Sequence, residues 1–235
     1  MELKNKVVII TGASDGLGKQ IALKLAKEKV SLVLVARDKK RLEMVAKEAK
    51  KIGSPRISSY LCDIRKNQQI KETIKKIAAD LEKINILINC AGIWQKLNTL
   101  ENIKEDVADD VIQTNLIGLI NFTRLTLPYL KKQKEAFIIN ISSRSGVKAQ
   151  EKQSVYTASK WGVTGFTEVL KVELKETNVR VAGVYQGGVN TGMFRKKGDI
   201  FNQDHLIKPD ELAEVIVFIL SRPPQLWLHD VRIEY

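Results

Sequence analysis

The chain has 235 residues, 44% of them hydrophobic and 28% charged, with a formal charge of +12. That length suits one α/β unit and buries enough core to stand without disulfide or metal staples. The longest apolar runs are strand-length, which argues against a membrane span. His205 and His229 have no ligand-spaced partners, which argues against a transition-metal site. Lysines and arginines are distributed among acidic residues, as in Lys39–Lys51 with Glu43 and Glu48, and aromatics are only 6% of residues. The basic charge therefore reads as a solvated surface and not as a nucleic-acid footprint. Cys62 and Cys90 read as reduced, mostly buried thiols. Met1–Lys6 leads straight into the first predicted strand, a reading that leaves no room for a secretory leader and places the protein in the cytoplasm.

From residue 6, short β-branched runs alternate with amphipathic segments. The first predicted strand, Lys6–Ile10, runs into Thr11-Gly12-Ala13-Ser14-Asp15-Gly16-Leu17-Gly18 and a helix over Gly16–Lys29. Glycines in a strand-to-helix loop let the backbone approach a pyrophosphate, which then meets the free N–H groups of the helix N-terminus. The second strand, Ser31–Ala36, has Ala36 at the tip where an NAD site would carry a carboxylate. Arg37 follows and suits a 2′-phosphate, although it also reads as an ordinary surface arginine. Asp38 suits the N-cap of the next helix, Lys39–Ile52, and Gly53-Ser54-Pro55 stops that helix.

The third strand, Ile57–Leu61, is followed by Asp63, which suits a hydrogen bond with adenine, and by a helix over Asn67–Leu81. The fourth, Ile86–Asn89, opens the turn Asn89-Cys90-Ala91-Gly92, which suits the cofactor floor; Asn89 reads equally as a strand-tying structural amide. A helical stretch, Glu105–Lys132, reads as two pieces and contains Asn115. The fifth strand, Ala136–Ile141, leads to Ser143 at the carboxyl edge, where open α/β sheets bind ligands. On the helix over Ser154–Thr177, Tyr156 and Lys160 are four apart and share a face. The sixth strand, Val179–Tyr185, precedes Gln186-Gly187-Gly188-Val189-Asn190-Thr191. Trp94, the segment Arg144–Gln153 and the loop Gly192–Ile207 read as the substrate pocket. That loop carries Met193 and Phe194 but also Arg195, Lys196 and Lys197, which suit either an acidic substrate or water. A helix with Pro209 in its first turn, Pro209–Leu220, and a weaker strand near Trp227–Ile233 complete the pattern. The uninterrupted apolar strands suit parallel pairing covered on both faces. The expectation is one dinucleotide-binding catalytic domain over 1–235, a doubly wound, Rossmann-type parallel sheet of about seven strands with helices on both faces.

Taken together, the glycine loop Gly12/Gly16/Gly18, Asp63-Ile64, Asn89-x-Ala91-Gly92, Asn115, Ser143 thirteen residues before the tyrosine, and Tyr156-x-x-x-Lys160 resemble the classical short-chain dehydrogenase/reductase family. The resemblance implies that Tyr156 exchanges a proton with the substrate oxygen and that Ser143 polarises it. It implies that Lys160 binds the nicotinamide ribose and lowers the tyrosine's pKa, and that Asn115 supports a water-linked relay. It implies a cofactor site of Gly12, Ser14, Asp15, Gly16, Leu17, Gly18, Arg37, Asp63, Ile64, Asn89, Ala91, Gly92, Tyr156, Lys160, Gly187, Val189 and Thr191. The cofactor is expected to be NADP(H), with NAD as the other candidate, and the substrate a small carbonyl or alcohol. The alternative reading is a non-catalytic NADP(H)-sensing or interaction protein on the same fold. Two departures stand out: Gln186 replaces the family's usual proline, leaving a less rigid turn, and Asp15 stands where NADP-dependent members often carry a base. Val155, Trp161, Phe166, Val169 and Leu170 give the Tyr156 helix more apolar surface than one sheet face covers, and the resemblance implies a homodimer or homotetramer.

Overall fold

A computed structural model describes every residue except Pro224 and Tyr235. Seven parallel strands form one sheet in the order β3-β2-β1-β4-β5-β6-β7. They are β1 (Val7–Thr11), β2 (Ser31–Ala36), β3 (Ile57–Leu61), β4 (Ile86–Asn89), β5 (Ala136–Ile141), β6 (Val179–Gln186) and β7 (Asp230–Ile233). The helices are α1 (Gly16–Lys27), α2 (Lys39–Ile52), α3 (Asn67–Asp80), α4 (Glu105–Ile112), α5 (Gly118–Leu130), α6 (Ser154–Glu173) and α7 (Pro209–Ser221).

The inner strands β1, β4 and β5 are largely apolar because each residue has a covered face to enter, whereas the edge strands β3 and β7 carry Ser58, Ser59, Asp230 and Arg232 and leave residues exposed. Val8 and Ile10 of β1 join the core under α1, α2 and α7, while Val7 and Ile9 join the core under α3, α5 and α6. A one-residue slip would only exchange two apolar faces, so strand ends here are fixed by loop chemistry. Asp38 caps α2 by accepting the Arg41 N–H at 3.0 Å, and Pro209 opens α7 with Asp210 and Glu211 behind it.

Where the expected boundaries shift, backbone geometry accounts for it. Helix α1 stops at Lys27 because Lys29 adopts a left-handed φ of 55°. Helix α6 stops at Glu173, and the Thr177 N–H turns back to Leu174 O at 2.9 Å. The stretch expected as two helices is continuous: α4 and α5 are joined by a π-turn, Gln113–Ile117. Asn115 sits in that turn, a geometry that recurs at functional sites. The last strand is shorter than expected. Trp227 lies outside it, donating its indole N–H to Val181 O at 3.0 Å and stacking on His229. No helix among the described residues is long and apolar enough to cross a membrane.

Candidate active site

The strands end on one edge, and a cleft of about 990 Å³ runs along it from Arg37 and Arg41 to Tyr156. At its floor, β1 turns into α1 through Gly12, whose φ is +71° and where an added Cβ would lie 2.8 Å from Ala91 Cα. A Cβ on Gly18 would lie 2.3 Å from Gly12 O, so α1 can approach the loop this closely only without a side chain there. The Thr11 hydroxyl accepts the Cys90 and Ala91 N–H groups at 3.1 and 3.2 Å, locking the loop to the turn after β4. Gly18→Ala is therefore expected to lower stability by about 1–3 kcal/mol through overpacking and to weaken dinucleotide binding. Thermal denaturation with a cofactor titration measures both, and an unchanged affinity would contradict the close-approach role.

Asp15 is bound up in the loop's own electrostatics. One carboxylate oxygen caps α1 through the Gly16 N–H at 2.8 Å; the other accepts from Arg41 at 2.9 Å and from Lys196. Burial pushes its carboxyl pKa up, but Lys196, the Gly16 N–H and Arg41 outweigh that and hold it below the usual range. Arg41 is an addition to the sequence reading, and Lys196, expected as a cation of the substrate loop, turns to Asp15 instead. Arg41 was discoverable as the residue whose N–H the Asp38 cap receives; Lys196 pairs across 181 residues of chain. Arg37 is exposed and lines the same end of the cleft.

Asp63 also lines the cleft, yet both its oxygens are gripped by Arg65, with contacts from 2.6 to 3.1 Å. That grip keeps its carboxyl below the ordinary range despite partial burial. Asn89 takes the structural role of the two left open. Its amide donates to Thr123 Oγ1 and Asn140 Oδ1, both at 2.8 Å, and the cleft wall is formed by Cys90, Ala91 and Gly92 instead. The turn after β6 is tied down where a loose one was expected: Gln186 donates its amide to Ser142 O at 3.2 Å. Gly187, Val189 and Thr191 line the cleft beyond it, as do Ser14, Leu17 and Ile64 near the glycine loop.

At the far end Tyr156, Ser143 and Lys160 converge. The Ser143 hydroxyl accepts the Ser145 N–H at 3.1 Å, which leaves its own proton free to donate. Lys160 donates to Ile141 O at 3.0 Å, and its ammonium lies 5.8 Å from the centre of the Tyr156 ring. A Cβ on Gly92 would touch both Asn115 Oδ1 and Lys160 Nζ, so the Gly92 turn brings these side chains within reach. Asn115 itself brackets Ile93, accepting its N–H at 2.8 Å and donating to its carbonyl at 3.0 Å.

Burial pushes the Tyr156 phenol up to about 12, only partly offset by the Ser143 hydroxyl. Burial brings the Lys160 ammonium down to about 8, opposed weakly by Cys90. Without a bound cofactor, Lys160 is not among the groups that shift the Tyr156 phenol. The ammonium faces a backbone carbonyl, and desolvation of the phenolate dominates.

The residues present fit a dinucleotide. The glycine floor is shaped for close backbone approach, and the buried Gln186 Oε1, on a side chain lining the cleft, has no partner among the described residues. Comparison with known proteins agrees. The model of the short chain dehydrogenase family matches residues 6–200. The chain belongs to the short-chain dehydrogenase family. It is 35% identical to the 3-oxoacyl-(acyl-carrier-protein) reductase of Thermotoga maritima, over 94% of this chain and 92% of that protein. It is 30% identical to the NADP-dependent 3-hydroxy acid dehydrogenase of Schizosaccharomyces pombe, over 97% of this chain and 92% of that protein. Among solved structures, a metagenomic short-chain oxidoreductase in complex with NADP matches with a TM-score of 0.86 and 29% identity, over 100% of both chains. The alcohol dehydrogenase of Thermococcus sibiricus, complexed with 5-hydroxy-NADP, matches in fold with a TM-score of 0.91 at 24% identity, over 98% of this chain and 97% of that one. This family membership makes the protein an oxidoreductase with a nicotinamide dinucleotide as its cofactor.

Proposed function

We propose that this oxidoreductase uses NADP(H) to interconvert a small carbonyl compound and its alcohol, with Tyr156 as proton donor and acceptor. The observation that carries the reading is the convergence of Tyr156, Ser143 and Lys160 at one end of a glycine-floored cleft. The bound cofactor supplies or takes the hydride. Ser143 keeps its proton and donates a hydrogen bond to the substrate oxygen, and Tyr156 delivers the one proton that completes the alcohol. Lys160 keeps two N–H groups beyond the one on Ile141 O for the ribose. Asn115 holds the Gly92–Ile93 backbone beside Lys160 and supports the proton path from there. A sensing protein would have no need of this set, so the catalytic reading is preferred. Residues 1–235 are read as one catalytic domain, because β1 through β6 all feed the same cleft. A panel of small carbonyl compounds with NADPH, followed by cofactor absorbance, tests it; no turnover of any member would contradict it.

The pKa directions give this reading a pH signature. Burial raises the Tyr156 phenol to about 12, which holds it as the acid that carbonyl reduction requires. Lys160, lowered to about 8, is charged below that pH and loses its proton above it. Reductive kcat/KM is therefore expected to decline with a midpoint near 8. A profile flat well past that point would contradict a need for the ammonium.

We also infer a homo-oligomer built on α6. Trp161, Val169 and Val172 are 50%, 54% and 69% exposed and follow one another along the helix's outer face. Gly165, in the same stripe, has nothing within 4 Å of where a Cβ would stand. Such a contiguous apolar stripe marks a contact surface. Sedimentation is expected to give a multiple of 26.5 kDa, and the single-chain mass at micromolar concentration would contradict this.

A further inference from the structure

Trp94 lies almost buried in the cleft, its ring 4.6 Å from that of Tyr156 at an interplanar angle of 66°. Phe194 and Phe201, from the 192–207 loop, close the same wall. Trp94 meets Phe194 at 5.0 Å and Phe201 at 6.4 Å, and the two phenylalanines meet at 4.7 Å, all edge to face. Asp199 fixes the arrangement by accepting the Trp94 indole N–H at 2.6 Å and the Leu97 N–H at 3.0 Å. The indole is left with only apolar surface to offer.

Neighbouring polar groups are similarly engaged inside the protein. Gln95 accepts the Tyr156 N–H at 2.7 Å and donates to Lys152 O. Gln153 accepts from Ser145 Oγ at 2.9 Å. The loop's cations stay at the rim: Lys196 turns to Asp15, and Arg195 and Lys197 are exposed. An anionic group seated among Trp94, Phe194 and Phe201 would lose its water and meet aromatic rings, a costly exchange. A flat ring would extend a cluster already built at the centroid separations aromatic pairs prefer.

We propose that the substrate is an apolar ketone, or the matching secondary alcohol, with an aromatic or conjugated ring beside the reacting carbon, seated among Trp94, Phe194 and Phe201. This rests on the reading of Tyr156 as proton donor. In reduction the carbonyl carbon takes a hydride from NADPH, which becomes NADP⁺. The oxygen takes the phenol proton, and solvent reprotonates Tyr156.

The test compares an aryl methyl ketone with a 3-oxo acid and a 3-oxoacyl thioester at saturating NADPH. The aryl ketone is expected to have a kcat/KM at least about tenfold higher than either. Phe201→Ala and Trp94→Leu are each expected to lower that value by about tenfold with the Kd for NADPH unchanged. Should Trp94→Leu fail to fold, Phe201→Ala, on a partly exposed loop position, still decides. Turnover that favours the 3-oxo compounds, or is indifferent to Phe201→Ala, overturns this inference and leaves the Tyr156 reading standing. Absence of turnover with every carbonyl overturns both.

Discussion

Tyr156→Phe is expected to abolish turnover by about 10²–10⁴-fold, the usual worth of a positioned general acid, while NADPH still binds. The substitution removes one oxygen and keeps the ring, so the edge contact with Trp94 at 4.6 Å and the helix around it persist. What is lost is a phenol that burial keeps protonated, with a pKa of about 12, at the point where the Ser143 hydroxyl also arrives. Lys160→Ala is expected to behave differently. It removes a cation proposed to hold the ribose and leaves Ile141 O without its 3.0 Å donor, so affinity, turnover and stability are all expected to fall. Steady-state kinetics, cofactor titration and thermal denaturation of the two variants separate the roles. Retention of most activity by Tyr156→Phe would remove the tyrosine from the mechanism.

NADPH is expected to bind more tightly than NADH by about ten- to a hundredfold. Strand β2 ends at Ala36, so no carboxylate at the tip receives a ribose 2′-hydroxyl, and exposed Arg37 follows on the wall of the cleft. A charge-assisted arginine–phosphate contact near solvent is worth about 1.5–3 kcal/mol, or one to two decades of affinity. Arg41 stands close by, but its guanidinium is shared with Asp15 at 2.9 Å and Asp38 at 3.4 Å. Arg37→Ala should therefore cost more of the preference than Arg41→Ala. Raising salt should shrink it, since exposed charges are screened. The pair Ala36→Asp with Arg37→Ser should reverse it by supplying an acceptor and removing the cation. Fluorescence titration with each reduced cofactor reads all of these, and equal affinities at low salt would contradict the assignment.

Most of the sheet was legible because its signals are local. Short, nearly continuous apolar runs such as Ile86–Asn89 and Ala136–Ile141, bounded by turn residues, read as strands covered on both faces, and both bounds match the structure. The glycine loop was legible for the same reason, since close backbone approach leaves only a narrow choice of residues. Features that depend on distant pairs were not. The capture of Asp15 by Lys196, and the Trp94–Asp199 bond across 105 residues, join segments whose sequences carry no trace of each other. The π-turn that holds Asn115 leaves no mark in a helical periodicity that simply continues through it. Gln186 illustrates the remaining case. The missing proline was visible, but the hydrogen bond from the Gln186 amide to Ser142 O was not.

Transfer of label from NADPH deuterated at the nicotinamide C4 to a carbonyl substrate tests the central claim most directly, with Tyr156→Phe run alongside. The account predicts an alcohol carrying deuterium at the former carbonyl carbon with the native protein and essentially none with the variant. Binding of NADPH without labelled alcohol from any carbonyl, or labelling undiminished in Tyr156→Phe, would contradict it.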